Sequence, residues 1–178
     1  MMTLRLRLIG LALMLALAGG AALPAVNASA AAPVQIPITG IFTGSNGTIA
    51  GPGTFSGVFA LEQFVVSQGQ LLAQGTLTGT FTNTATGATQ TLPATQIQLP
   101  VASVTGSCQI LHLELGPLDL NLLGLQVHLD RVVLDITAQS GPGNLLGNLL
   151  CAVAHLLDSN ASLQAIAQLL NHILGALG

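Results

Sequence analysis

The residues with the types and spacing to do chemistry are His112-x-Glu114 and His128-x-Asp130. On a β-strand the i, i+2 spacing puts each imidazole and its carboxylate on one face. Were the two strands neighbours in register, two imidazoles and two carboxylates would converge, a donor set suited to zinc or a similar metal. The plainer reading is that a half-buried strand turns polar residues to water in any case, and on that reading no metal and no cofactor is expected. Asp119 and Asn121 add oxygen donors of the kind calcium takes. His155 and His172 fall on polar or boundary faces of helical segments. Arg131 stands beside Asp130 and Asp135, where an ion pair is the simple expectation.

Other chemistry is not signalled. No G-x-S-x-G nucleophile elbow occurs, and no glycine-rich phosphate loop precedes a helix. The expectation is therefore a protein that is not an enzyme, with no catalytic residues. Cys108 and Cys151 are the only cysteines, and neither has a second Cys or a His at metal-ligand spacing. In an oxidising compartment they are expected to join as a disulfide.

Strict alternation defines the elements that would position these groups. Leu111, Leu113 and Leu115 alternate with His112 and Glu114; Leu118, Leu120 and Leu122 with Asp119 and Asn121; Leu125, Val127 and Leu129 with Gln126, His128 and Asp130. This is the pattern of strands with one buried and one wet face. The phase slips at Asp130-Arg131, after which Val132, Leu134 and Ile136 take the apolar face, as at a bulge or bend. Upstream, Gly53-Thr54-Phe55-Ser56-Gly57-Val58-Phe59 recurs loosely as Gly75-Thr76-Leu77-Thr78-Gly79-Thr80-Phe81, two strands of a meander with a turn at Gln68-Gly69. Gly57 and Gly79 lie on the apolar face, where a missing side chain lets another backbone approach or the strand coil. Pro93 and Pro100 predict that residues 89–104 form an edge strand or break in two.

After Gly141-Pro142-Gly143 the period changes to that of a helix. Leu145, Leu146, Leu149, Leu150, Val153, Leu156 and Leu157 make one stripe; Leu163, Ile166, Leu170, Ile173 and Leu177 make a second, with Gln164, Gln168 and Asn171 facing away. Each segment is too short to span a membrane, so packing on the sheet is expected.

The N-terminus reads as an export signal. Met1 to Arg7 is basic, Leu8 to Leu23 is apolar, and Ala28 and Ala30 satisfy the A-x-A cleavage pattern, with cleavage expected after Ala30 or, failing that, Ala28. The expected organisation is a signal peptide at 1–30, a flexible segment at 31–52 with one strand-like piece at Val34 to Thr39, and one β-rich domain at 53–178 with helices at 144–158 and 161–176. No transmembrane span is expected after processing.

Composition narrows the partners. Of the 178 residues 51% are hydrophobic and 5% charged, with no Trp, no Tyr and five Phe. Without the first thirty residues Arg131 is the sole Lys or Arg, so neutralising several nucleic-acid phosphates is excluded. The lack of Trp and Tyr counts against base-stacking and sugar-stacking surfaces.

The run Gly116-Pro117-Leu118-Asp119-Leu120-Asn121-Leu122-Leu123-Gly124-Leu125 and the later Gly141-Pro142-Gly143-Asn144-Leu145-Leu146-Gly147-Asn148-Leu149-Leu150-Cys151 resemble a block of small exported bacterial proteins of unassigned function. The resemblance covers roughly residues 108–158. It implies secretion and a cysteine pair, and brings no activity and no site residues.

Together these features predict an α+β, mainly β, domain: an antiparallel β-sandwich or small open barrel with a C-terminal helical hairpin stapled by Cys108–Cys151. The functional expectation is a non-catalytic binding protein of the cell envelope or extracellular space, its partner an apolar or lipid-like small molecule or an envelope component. The alternative is a structural or adhesive surface protein without a ligand.

Overall fold

The computed structural model describes residues 33–177, so the expected signal peptide lies outside the described residues. Eight strands precede two helices: β1 (Val34–Thr43), β2 (Gly53–Ser67), β3 (Gln70–Asn83), β4 (Thr89–Gly106), β5 (Ile110–Leu115), β6 (Leu118–Leu122), β7 (Leu125–Leu129), β8 (Val132–Thr137), α1 (Leu145–Asp158) and α2 (Leu163–Leu177). All pairings are antiparallel, in one eight-stranded sheet of order β6-β7-β1-β2-β3-β4-β5-β8. The expected mainly-β architecture is observed, as an open, curled sheet.

β1 contains the strand-like piece expected at Val34 to Thr39, extends it to Thr43 and corrects the expectation of a flexible segment over that stretch. It pairs with β2 on one side and β7 on the other. It keeps a period of two throughout, with Ile36, Ile38, Gly40 and Phe42 buried and Gln35, Pro37, Thr39 and Ile41 exposed. The two prolines of β4 neither break it nor place it at an edge. Beside Pro93 the register with β3 shifts between Leu77 and Gly79, and at Pro100 the strand exchanges partners, β3 before it and β5 after. Each proline sits where a ladder bond would be lost in any case.

The segment 110–137 is one long hairpin. Its register runs from Ile110↔Thr137 to Leu115↔Val132 and resumes from Leu118↔Leu129 to Leu122↔Leu125. At Gly116-Pro117 and Asp130-Arg131 both strands skip one step of alternation, so Leu115 and Leu118, like Leu129 and Val132, all pack on the core. The phase slip read from the sequence is this bend. Below it the hairpin joins β4 through β5; above it the hairpin joins β1 through β7. It thus straddles both margins of the β1–β4 meander, although no pairing joins the outermost strands β6 and β8.

The interior is filled by side chains. Phe42, Phe55, Phe59, Phe81, Leu77, Leu99 and, from the hairpin, Leu111, Leu113, Leu115, Leu125 and Leu129 are at most 1% exposed, in one continuous cluster. The Phe55 and Phe81 rings lie 4.9 Å apart, centroid to centroid, and Phe42 and Phe81 5.2 Å. Gly57 and Gly79 face each other across β2 and β3 and make the socket for Phe55. A Cβ on Gly57 would stand 2.8 Å from Phe55 Cζ, and one on Gly79 2.5 Å.

The helical hairpin packs on the end of the sheet where β2 finishes and β5 begins, burying Leu150, Val153, Ile166, Leu170, Ile173 and Leu174. Cys108, in the β4–β5 turn, and Cys151, in α1, stand at disulfide distance, S–S 2.09 Å. Closing their 43-residue separation is worth about 4 kcal/mol on the chain-entropy model. No helix among the described residues is long and apolar enough to cross a membrane.

Candidate functional site

The long hairpin carries two histidine–aspartate pairs, each made by directly opposed residues. His112 on β5 faces Asp135 on β8, and Asp119 on β6 faces His128 on β7. In both pairs the imidazole Nδ1–H donates to the carboxylate at 2.6 Å. His112 Nε2 lies 3.8 Å from Glu114, whose other oxygen accepts from Arg131 Nη1 at 3.3 Å. Arg131 therefore pairs with Glu114 rather than with its sequence neighbours Asp130 and Asp135. Asp130 instead accepts from the Thr39 hydroxyl at 2.7 Å.

The four candidate metal ligands are not brought together. β1, β2, β3 and β4 lie between β7 and β5 in the sheet, and each histidine takes its own aspartate. Among the described residues no group of three or more His, Cys, Asp or Glu side chains has metal-holding geometry. Nor do Asp119 and Asn121 act together: Asn121 Oδ1 accepts the Gly124 N–H at 3.0 Å, closing the β6–β7 turn. His155 and His172 are exposed on their helices. Alternation located the wet faces correctly but could not say which strand lies alongside which.

The hydrogen bond that the His112 imidazole donates to Asp135 is the main cause that raises the His112 pKa above its ordinary value; partial desolvation opposes it, and the charges of Asp135 and Glu114 add to it. The pair is exposed, with the imidazole 38% and the Asp135 carboxylate 58% accessible. Its chemistry is that of a solvated cross-strand clasp.

Two clefts are relevant to binding. One, of about 510 Å³, lies across β6, β7 and β1, where Asp119, Gln126 and His128 share the lining with Ile41, Phe42, Leu120 and Val127. The other, of about 520 Å³, lies beneath the α1–α2 turn, where Leu157, Leu163 and Ile166 face Leu71, Val101 and Val104 of β3 and β4. Most of its lining side chains are aliphatic, with Gln70 and Ser103 among them, a mixture usual in small-molecule sites.

The helices that roof this second cleft are anchored at two points. Cys151 ties α1 to Cys108. On α2, Asn171 inserts its amide against β2: Phe64 N–H donates to Asn171 Oδ1 at 2.6 Å, and Asn171 Nδ2 donates to Phe64 O at 2.9 Å. The amide occupies the backbone groups of Phe64 just past the bulge between Leu61 and Gln63. This overturns the expectation that Asn171 faces away. Its signal was its place beside Leu170 and one helical turn after Ala167, both buried. The roof tip beyond the anchors, roughly 10 Å of α1 and 12 Å of α2, makes hydrogen bonds only within itself, such as Ala161 N–H to Leu156 O.

The fold and this junction define a curled antiparallel sheet roofed by a helical hairpin. Compared with family models, curated proteins and solved structures, the chain matches none.

Proposed function

We propose that the chain is an exported, non-catalytic binding protein of the cell envelope or extracellular space, holding an apolar, lipid-like ligand in the cleft beneath the α1–α2 turn. The observation that carries this reading is the apolar lining: six aliphatic side chains from two helices and two strands converge on about 520 Å³. The curled sheet itself offers no such room, because phenylalanines and leucines occupy its interior. Export is supported by the N-terminal signal pattern and by the Cys108–Cys151 pair, which an oxidising compartment preserves.

Native mass spectrometry of protein purified from its own host tests this. An apolar molecule is expected to co-purify and to be lost from a Leu163→Asp variant, which charges the wall at a residue already 38% exposed. Repeated preparations free of any adduct would refute the reading.

The ligand-free structural or adhesive alternative also has an observation in its favour. Outward hydroxyls stand in register across β2, β3 and β4, as in Thr54↔Thr82↔Thr89 and Ser56↔Thr80↔Thr91. Beside them Glu62, Thr76 and Gln96 share hydrogen bonds of 2.6–3.1 Å. Self-association abolished by Thr80→Lys would favour this alternative.

A further inference from the structure

Resting on the cleft reading above, we propose that the site takes an acyl chain bearing an uncharged polar head and rejects the same chain ending in an anion. The rim carries the argument. The polar side chains that line the cleft are the Gln70 amide and the Ser103 hydroxyl, at the β3 start and the β4 end. Both can donate to and accept from a hydroxyl, ester or amide. Neither can neutralise a carboxylate or phosphate.

The charge nearest in the chain to the lining residues has the wrong sign for an anion. Asp158 directly follows Leu157, ends α1 and is exposed at the roof tip. Among the described residues the sole Lys or Arg is Arg131, committed to Glu114 at the bend of the long hairpin and no part of this cleft. The titratable groups on the remaining elements around the site are His155 on α1, His172 on α2, Glu62 on β2 and Glu114 on β5, which stands opposite Ser103 and is the acceptor for Arg131; none of them lines it. An anionic head drawn to the mouth would find hydrogen-bond donors but no countercharge for the hydration it loses, and would meet the field of Asp158. An uncharged head exchanges its water hydrogen bonds for Gln70 and Ser103 at little cost.

Calorimetric titration of the mature, disulfide-bonded chain with 1-monomyristoylglycerol and with myristate, both below their micelle concentrations at pH 8, tests the proposal. The glycerol ester is expected to bind at least tenfold more tightly. Gln70→Lys, at an exposed position where folding is not at stake, is expected to bring myristate to within threefold of the ester, and Asp158→Asn to narrow the gap in the same direction. Equal affinities in the wild-type chain, or a Gln70→Lys variant with unchanged myristate binding, would overturn the head-group selection while leaving the apolar cleft standing. Failure of both ligands to bind any form would overturn the cleft reading itself.

Discussion

Replacing Asn171 with alanine removes both bonds that fasten α2 to β2. The Phe64 N–H and C=O, satisfied at 2.6 and 2.9 Å by one amide, are then left facing a helix surface that offers no other partner. A net hydrogen bond is worth about 1 kcal/mol and an orphaned, partly buried backbone group costs 1–3 kcal/mol, so the expected loss is about 2 kcal/mol. For a domain of this size that is a fall in Tm of roughly 4–8 °C. Asn171→Leu, which keeps side-chain volume but not the polar atoms, should lose as much. Asn171→Asp separates the two bonds: one carboxylate oxygen still accepts from Phe64 N–H, while the other opposes Phe64 O. That variant should be the least stable at pH 8 and recover as acid protonates the carboxyl, which can then donate. Urea denaturation with unchanged m-values is the assay. Asn171→Ala within 0.5 kcal/mol of wild type, or Asn171→Asp without acid recovery, would refute the idea that this amide joins the helices to the sheet.

Two further outcomes are expected. Gly79→Ala drives a methyl to 2.5 Å from Phe55 Cζ and should cost about 1–3 kcal/mol in the same assay, with Phe55→Leu restoring part of the loss in the double variant. The raised His112 pKa gives stability that is complete below the unfolded value of about 6.5 and is lost as pH rises through the higher folded value. NMR titration should therefore place the His112 midpoint above the ordinary range and return it there in Asp135→Asn; an unmoved midpoint would remove the clasp.

A linear pattern carries the face of a residue but not its neighbour. Alternation of Leu111–Leu115 and Leu125–Leu129 was enough to assign strands and wet faces, and the helical stripes placed α1 and α2 to within a few residues. In β1 the Pro, Gly and Thr content left only Val34–Thr39 legible as strand, whereas the alternation runs on to Thr43. Pairing His112-x-Glu114 with His128-x-Asp130 assumed that strands alike in pattern are neighbours. In the sheet the meander intervenes, and each histidine meets an aspartate from the opposite arm of the same hairpin.

What the chain determines locally is therefore its periods: which residues turn inward, where helices replace strands, and that two cysteines are available to join. A period of two states the face of a residue and says nothing of its lateral partner, since any strand with the right alternation can supply the backbone bonds. Tertiary structure alone decided that 110–137 is one bent hairpin reaching both margins of the meander, that Gly57 and Gly79 open space for Phe55, and that an asparagine on α2 completes a bulge in β2. Those outcomes depend on packing between segments far apart in the chain, where volume and unsatisfied backbone groups select among arrangements the local pattern leaves equivalent.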